Sequence, residues 1–306
     1  MATDEDNEKT SAALSSVGAA VFLTGLKIVV GLLSGSLGIL AEAAHSTLDF
    51  AAALITLFAV RVASKPADRV HAYGHGKVEN LSALVETLLL LLTCAWIIYK
   101  SISRLISGHI EVNASIWAFG VMLISIAVDF TRSRMLYRIA TKHRSQALEA
   151  DALHFSTDVW SSLVVILGLA GVKLGQLYPR LEFLEKADAV AALLVAAIVV
   201  WVSVKLGART IQALLDASPE GMAEQIKARV EGMKDICDCH AVRVRHSGPL
   251  YFVDLHITLD GGMTLQTAHE LTEEVERVVK EILPGADVTV HPEPTGLSEA
   301  KALPKA

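Results

Sequence analysis

Long apolar runs dominate the chain up to residue 210 and then stop. A helix needs about 20 apolar residues to cross a bilayer, and six segments meet this length, at 11–33, 37–63, 78–105, 114–138, 148–174 and 187–207. In lipid, backbone polar groups must bond within the chain, so such segments fold as transmembrane helices. The mean hydropathy of +0.46 is typical of a membrane protein. The sequence therefore predicts a bundle of six transmembrane helices.

Charges beside the apolar runs indicate the orientation of this bundle. Lysine and arginine collect between the second and third runs and between the fourth and fifth, whereas the connections at 34–36, 108–113 and 175–186 are poorer in them. Basic loops stay on the cytoplasmic side of a membrane. With an even number of crossings, both termini are then expected in the cytoplasm. The acidic start of the chain does not resemble a cleaved signal peptide, so no processing is expected.

Two matching pairs of ionisable residues interrupt the apolar runs. His45 and Asp49 stand four residues apart in the second run, and His154 and Asp158 repeat the spacing in the fifth. Residues four apart share a helix face, so two imidazoles and two carboxylates can converge from two helices. This donor set fits tetrahedral Zn²⁺. Because ionisable groups at membrane depth are costly and mark ion or proton pathways, the pairs predict a metal-transport site.

Other interpretations of these pairs make different demands on the sequence. Polar residues that only join helices are usually single Ser or Thr side chains, not duplicated ionisable pairs. An intramembrane metalloprotease needs H-E-x-x-H, and the one His-Glu dipeptide, His269-Glu270, follows the apolar runs and lacks the second His. We therefore predict no enzyme activity. A membrane metal sensor without ion flux remains open.

The polar part that follows residue 210 has the pattern of a small independent domain. Apolar periodicity predicts helices at 219–233 and 265–282 and strands at 241–245, 251–259 and 287–291. The order α-β-β-α-β fits a two-layer α/β domain with helices on one face of a sheet. We predict an N-terminal tail at 1–10, a membrane domain at 11–210, this cytoplasmic domain at 211–295 and a flexible C-terminal tail at 296–306.

These features together resemble the cation diffusion facilitator family, whose best-known members are zinc/proton antiporters. Besides the two H-x-x-x-D pairs, the segments GSLGILAEAAHSTLDF, DRVHAYGHGKVENL, CDCHAVRVRHSGPLYFVDLHITLD, AHELTEEVE and VHPEP carry the resemblance. It implies a homodimer that moves divalent metal, above all Zn²⁺, out of the cytoplasm in exchange for protons. Many bacterial relatives have Asp where this chain has His45, a difference that favours zinc over cadmium. Fe²⁺, Co²⁺, Ni²⁺ and Cd²⁺ stay open as substrates, because the donor types alone do not select among such ions.

The resemblance also implies a second metal site and a charged junction. Asp68, His71 and His75 occupy the positions of a cytoplasmic loop site, and flanking glycines allow a sharp turn there. The simpler alternative is a polar loop that happens to contain histidines. Lys77 and Asp216 occupy the positions of an interlock between the membrane and cytoplasmic domains, unless they are only solvated charges. The leucine-rich third run would supply a further contact between protomers.

By the same resemblance, the cytoplasmic domain is ferredoxin-like and metallochaperone-like, binds metal and dimerises. Glu293 stands where relatives commonly have Asp, so the number of ligands is open. The five candidate ligands in the family's order are His240, His256, His269, His291 and Glu293.

Three cysteines do not make a disulfide framework. Cys94 lies in an apolar run. Cys237 and Cys239 are expected to be free thiols, because the cytoplasm is reducing. Two roles stay open for this pair: residues at the start of a strand, or ligands of a soft metal. The net charge of −6 and the absence of a basic cluster in the sequence argue against nucleic acid as a partner. Eukaryotic relatives often carry a His-rich loop where this chain has the short basic segment 138–146, so a bacterial inner-membrane protein is expected.

Overall fold

The computed structural model describes residues 4–34, 37–107, 116–177 and 187–295. The chain divides into two compact units, Met1–Ile211 and Gln212–Ala306. The predicted C-terminal tail at 296–306 lies outside the described residues. Most of the connections at 34–36, 108–113 and 175–186, which are poor in lysine and arginine, also lie outside them.

Six long helices lie in the described residues up to Leu214, one for each predicted segment, which confirms the helical membrane domain. Their bounds are α1 Asp4–Ser34, α2 Leu37–Ala63, α3 Lys77–Ser107, α4 Ile116–His143, α5 Gln146–Leu177 and α6 Ala187–Leu214. Four stretches in the described residues are long and apolar enough to cross a membrane: Asp4–Leu33, His45–Ala63, Lys77–Ser103 and Leu193–Leu214.

The two helices that carry the His/Asp pairs pack directly against each other. α2 and α5 are in contact, α1 packs on α2 and α4, and α3 packs on both α2 and α5. Small side chains such as Ala13, Ala147 and Ala152 are fully or nearly fully buried in the core shared by α1, α2, α4 and α5. Small residues let helix backbones approach closely in a membrane. This close approach brings side chains of α2 and α5 within reach of one another.

The second unit has the predicted α-β-β-α-β order and is built on a three-stranded sheet. Its elements are α7 Met222–Glu231, β1 Asp238–Ser247, β2 Leu250–Leu259, α8 Leu265–Ile282 and β3 Asp287–Pro294. β2 is the central strand, antiparallel to β1 and parallel to β3. The parallel pair is joined through α8, as a βαβ connection requires. β1 begins three residues before the predicted strand because Asp238 pairs with Thr258 near the end of β2.

Side chains of β2 alternate between the two faces of this sheet. Val253, Leu255 and Ile257 enter the apolar core together with residues of α7 and α8 such as Ile226 and Val279. Because successive side chains of a strand point to opposite faces, the even-numbered residues of β2 lie on the face away from this core. There the His256 ring lies beside the rings of His240 and His291.

Candidate metal centres

Three of the four predicted transport-site residues converge between α2 and α5. Asp49, His154 and Asp158 each offer a ligand atom within 4.8 Å of the other two. The Nε2 atom of His154 lies 3.2 Å from Oδ1 of Asp49 and 3.9 Å from Oδ2 of Asp158. The His154 side chain is 6% exposed, so one imidazole is held between two carboxylates out of bulk water. Such a set of nitrogen and oxygen donors can hold a divalent cation.

His45 lies next to this cluster but outside it. Its Nε2 atom is 3.8 Å from Oδ1 of Asp49, the same oxygen that faces His154. The His45 side chain is 39% exposed, far more than its counterpart on α5. One turn of α2 therefore presents His45 and Asp49 on a common face, as the spacing predicts, while His45 lies at the more open side.

The residue after His45 anchors α2 to α1. Lys27 of α1, which is buried, donates a hydrogen bond of 2.7 Å from Nζ to Oγ of Ser46. The hydroxyl of Thr24 donates to the Ser46 carbonyl oxygen at 3.0 Å. Groups that hold ligand-bearing backbone in place support the geometry of a metal site. The His/Asp spacing does not point to Lys27, although a lysine inside an apolar run is itself an indication of a function.

The loop between α2 and α3 brings its three predicted ligands together. Oδ1 of Asp68 lies 3.3 Å from Nδ1 of His71, and Oδ2 lies 3.3 Å from Nε2 of His75. Gly74 has a φ of 78°, a conformation that glycine adopts without strain, and its turn returns the chain toward Asp68. Backbone N–H groups of His71 and Val70 donate to Asp68 and lower the pKa of its carboxyl.

In the second unit, β1, β2 and β3 bring His240, His256 and Glu293 together. The ligand atoms of these three residues lie within 4.8 Å of one another. Oε2 of Glu293 is 3.3 Å from Nε2 of His240, and Oε1 is 3.1 Å from Nδ1 of His256. Asp238 lies 2.8 Å from Nδ1 of His240 and so orients that ring. His291 joins from the side, 3.8 Å from Oε1 of Glu293.

The histidines around Glu293 set its ionisation. Partial desolvation raises the pKa of the Glu293 carboxyl, but the hydrogen bond with His256 and the charges of His240, His256 and His291 outweigh this effect. The pKa is therefore lowered from its ordinary value, and Glu293 is an ionised carboxylate near neutral pH. Ionised carboxylate is the form that binds a metal.

The structure places the remaining predicted residues apart from these clusters. His269 lies on α8 with a side chain that is 69% exposed, 3.5 Å from Glu273. Asp216 has a φ of 59° and lies 3.6 Å from Arg245 in the second unit. Lys77 begins α3 in the first unit, so the interlock between Lys77 and Asp216 stays a prediction.

Cysteine contributes to none of the metal-ligand groups found within the described residues. Cys237 is exposed, whereas Cys239 is buried in the core of the second unit. Burial raises the pKa of the Cys239 thiol to about 11, which keeps it protonated and unreactive. Cys94 is buried in α3, as an apolar-run cysteine is expected to be.

Fold and sites together define a membrane protein with a cluster of candidate metal ligands inside a helical bundle and further such clusters in a loop and in an α/β domain. Residues 13–215 match the family described as the cation efflux transmembrane domain, and residues 219–295 match the cation efflux protein cytoplasmic domain. The chain belongs to the cation efflux family, which confirms the resemblance to cation diffusion facilitators. It is therefore a transporter for the efflux of divalent cations and not an enzyme.

Named relatives match along nearly the whole chain. The cation-efflux pump FieF of Yersinia enterocolitica is 32% identical over 290 residues, which cover 94% of this chain and 93% of the relative. The cation-efflux pump FieF of Serratia proteamaculans is 31% identical over 287 residues, covering 93% and 92%. Among solved structures, the metal-bound C-terminal domain of the CzcD transporter from Thermotoga maritima is 36% identical, covers 24% of this chain and 88% of that one, and has a TM-score of 0.24.

Proposed function

We propose that this transporter exchanges Zn²⁺ for protons and moves zinc out of the cytoplasm. The observation that supports this most strongly is the convergence of Asp49, His154 and Asp158 within 4.8 Å between α2 and α5. Zinc prefers four donors of nitrogen, sulfur or carboxylate oxygen, and His45 beside Asp49 can supply the fourth. A site with two imidazoles is softer than one built from carboxylates, which favours Zn²⁺ over the harder Mg²⁺ and Ca²⁺.

Proton coupling follows from the chemistry of these donors. A metal ion binds neutral imidazole and ionised carboxylate, so zinc binding at the cluster releases protons. Histidine exchanges protons close to physiological pH. At the outer face, a higher proton concentration returns the protons and weakens zinc binding. Rocking of one group of helices against another around a fixed site would expose the cluster to each side in turn.

The loop and cytoplasmic-domain clusters fit regulation by cytoplasmic metal. Asp68 and His71 are exposed to solvent, His75 beside them is mostly buried, and the three can bind metal outside the bundle. Zinc held by His240, His256 and Glu293 would stabilise whichever conformation binds it best and so shift the population toward it. We further propose a homodimer formed through the cytoplasmic domain and α3, in a bacterial inner membrane with both termini cytoplasmic.

Transport by the full-length protein in proteoliposomes tests this proposal. An interior pH dye and a metal indicator would be read while Zn²⁺, Cd²⁺, Fe²⁺, Co²⁺, Ni²⁺ or Mn²⁺ is added outside. We expect zinc uptake coupled to proton efflux, lost in Asp49→Ala and Asp158→Ala variants that remain dimeric. Glu149→Gln changes a partly exposed carboxylate of α5 that pairs with Arg209 of α6, and it serves as the control that keeps activity.

The alternatives give different results in the same experiment. Stronger flux with Fe²⁺, Co²⁺ or Ni²⁺ than with Zn²⁺ would identify a broader or different exporter of the same family. Metal binding without flux of any ion would identify a sensor. Zinc flux that persists in Asp49→Ala would refute the assignment of the transport site.

A further inference from the structure

Two buried acids lie beside the transport site and have no place in metal binding as described above. Glu86 of α3 is 1% exposed, and Asp151 of α5 is fully buried. Neither belongs to a group that could hold a metal ion within the described residues. Ionisable residues buried at membrane depth are rare and mark ion or proton pathways.

Both acids lie on the same side of the transport site. Asp151 is three residues before His154, about one turn closer to the start of α5. Thr56 donates a hydrogen bond to Glu86 and lies seven residues, or about two turns, after Asp49 on α2. Ser145, just before α5, donates a hydrogen bond to Glu79 at the start of α3. The Asp68 loop joins the end of α2 to the start of α3. The end of α2 and the start of α5 therefore lie at the same end of the bundle, where the Asp68 loop also lies. We call this the loop end of the bundle.

One oxygen of each acid is held and the other is not. Oε1 of Glu86 accepts from Thr56 and from Ser82, and Oδ2 of Asp151 accepts from Ser16 at 2.9 Å. Among the described residues, Oε2 of Glu86 and Oδ1 of Asp151 have no hydrogen-bond partner although both are buried. A buried polar atom without a partner costs free energy, which a carried proton or a bridging water relieves.

A fixed positive charge accompanies these acids. Arg132 of α4 donates from Nε to Oγ of Ser16 at 2.6 Å, and its Cζ atom lies 3.2 Å from the centre of the Phe155 ring. The same serine hydroxyl donates to Asp151, so the guanidinium is tied to this acid through one side chain. A guanidinium repels a divalent cation about twice as strongly as a single proton at the same distance, because the repulsion scales with charge. Arg132 therefore disfavours a second metal ion at these acids more than it disfavours a proton.

The charged groups around the two acids come from four helices. Asp151 interacts electrostatically with Arg132 of α4, with His154 of its own helix and with Asp49 of α2. Glu86 interacts with Asp151 and with His154. Arg132 in turn faces Asp129 on α4. The acids are therefore coupled to the charge state of the transport site.

A third acid continues this row to the loop end. Glu79 is seven residues before Glu86 on α3, so the two share a face about two turns apart. Lys9 of α1 lies 3.4 Å from Oε1 of Glu79, and Ser145 donates to Oε2 at 2.5 Å. Lys9 also lies 3.6 Å from Glu5, whose side chain is 44% exposed. The row thus extends from the transport site to solvent.

We propose that Asp151, Glu86 and Glu79 form a proton route between the transport site and the loop end, separate from the path of the metal. This inference rests on the proposed proton antiport. In each step one proton leaves a donor O–H or N–H, passes along hydrogen-bonded water and joins a carboxylate oxygen, while each water that gives up a proton receives one from the group behind it. The donor loses one positive charge, the carboxylate becomes neutral, and no other bond changes. The route releases protons while the metal occupies the site.

Glu86→Gln in the full-length transporter tests the route, because the amide keeps the shape and cannot carry the proton. Two rates are measured in proteoliposomes. One is the exchange of labelled for unlabelled zinc at equal pH, which moves no net protons. The other is zinc uptake coupled to proton flux, read with a pH dye. We expect exchange to stay near the wild-type rate and coupled uptake to fall by about 100-fold, a typical effect of losing a proton-transfer group.

Two further variants keep the test decisive. Asp151→Asn should show the same separation of the two rates, and Glu149→Gln, an equal chemical change on α5, should keep both. The route is overturned if Glu86→Gln and Asp151→Asn keep coupled uptake, or if both lose exchange as well, since that marks a structural role. Net zinc uptake by the wild-type protein without any proton flux would instead refute the antiport itself.

Discussion

Replacing Asp49 by Asn removes one charge from the centre of the transport site and leaves its shape. Oδ1 of Asp49 is 3.2 Å from His154 and 3.8 Å from His45, so a single oxygen serves both imidazoles. Asn can still accept a hydrogen bond from either ring. It is a much weaker zinc ligand than a carboxylate, because it carries no charge to neutralise the ion.

The size of the effect follows from sharing the zinc-binding free energy among four ligands. Structural zinc sites bind with about 10–16 kcal/mol, so one ligand accounts for about 3 kcal/mol. At about 1.4 kcal/mol for each tenfold change, the affinity of the site should fall by about 100-fold or more. The second carboxylate, Asp158, remains, but it does not restore the lost zinc affinity, because the variant site has one negative charge and one strong ligand fewer.

Zinc concentration dependence of uptake into proteoliposomes measures this change. The Asp49→Asn variant should need about 100-fold more zinc for half-maximal uptake, or show none. Asp287→Asn is the matched control, since it makes the same change at an exposed residue of β3 that lies outside the metal-ligand groups of the described residues. If Asp49→Asn keeps wild-type zinc dependence, or if Asp287→Asn loses as much, the transport site has been placed wrongly.

Further predictions concern selectivity, pH and thiol chemistry. His45→Asp should admit cadmium, and unchanged exclusion of cadmium in vesicles would show that this position does not select the ion. Because the pKa of Glu293 is lowered, its ionised form stabilises the metal-free cytoplasmic domain above pH 4.5, and this stabilisation is lost as pH falls through the lowered pKa. Amide hydrogen exchange of β3 in the intact metal-free protein, corrected for the pH dependence of exchange in an unfolded peptide, should therefore become faster on acidification. In Glu293→Gln this acceleration should be smaller. At about pH 8 only about one Cys239 thiol in a thousand is ionised for a pKa of about 11, so mass spectrometry should find alkylation at Cys237 and not at Cys239.

Much of this architecture could be predicted because it depends on local patterns. The apolar runs define the six helices since bilayer thickness sets a minimum length. The spacing of His154 and Asp158 places both on one face of α5, and the structure shows that face. The alternation along β2 likewise predicts that His256 points away from the apolar core. Each of these conclusions requires only the residue periodicity of a single helix or strand.

Features that depend on how elements meet could not be predicted. The helix repeat does not tell which neighbour Glu86 faces, so its bond with Thr56 of α2 required the packed bundle. Nothing in the sequence around His45 shows that it lies at the open side of the site while His154 is enclosed. β1 has an irregular register between His240 and Arg243, which no alternation pattern reveals. Charged residues within apolar runs were the available signal for the buried network.

Zinc accumulation driven by a pH gradient is the direct test of zinc/proton antiport. Proteoliposomes with an acidic interior would be placed in a more alkaline medium with equal free zinc on both sides, and the internal zinc would be followed with time. We expect internal zinc to rise above the external level as protons leave, and the Asp49→Asn variant to show no such rise. Zinc that only equilibrates across the membrane, with or without the pH gradient, would contradict proton antiport at this site.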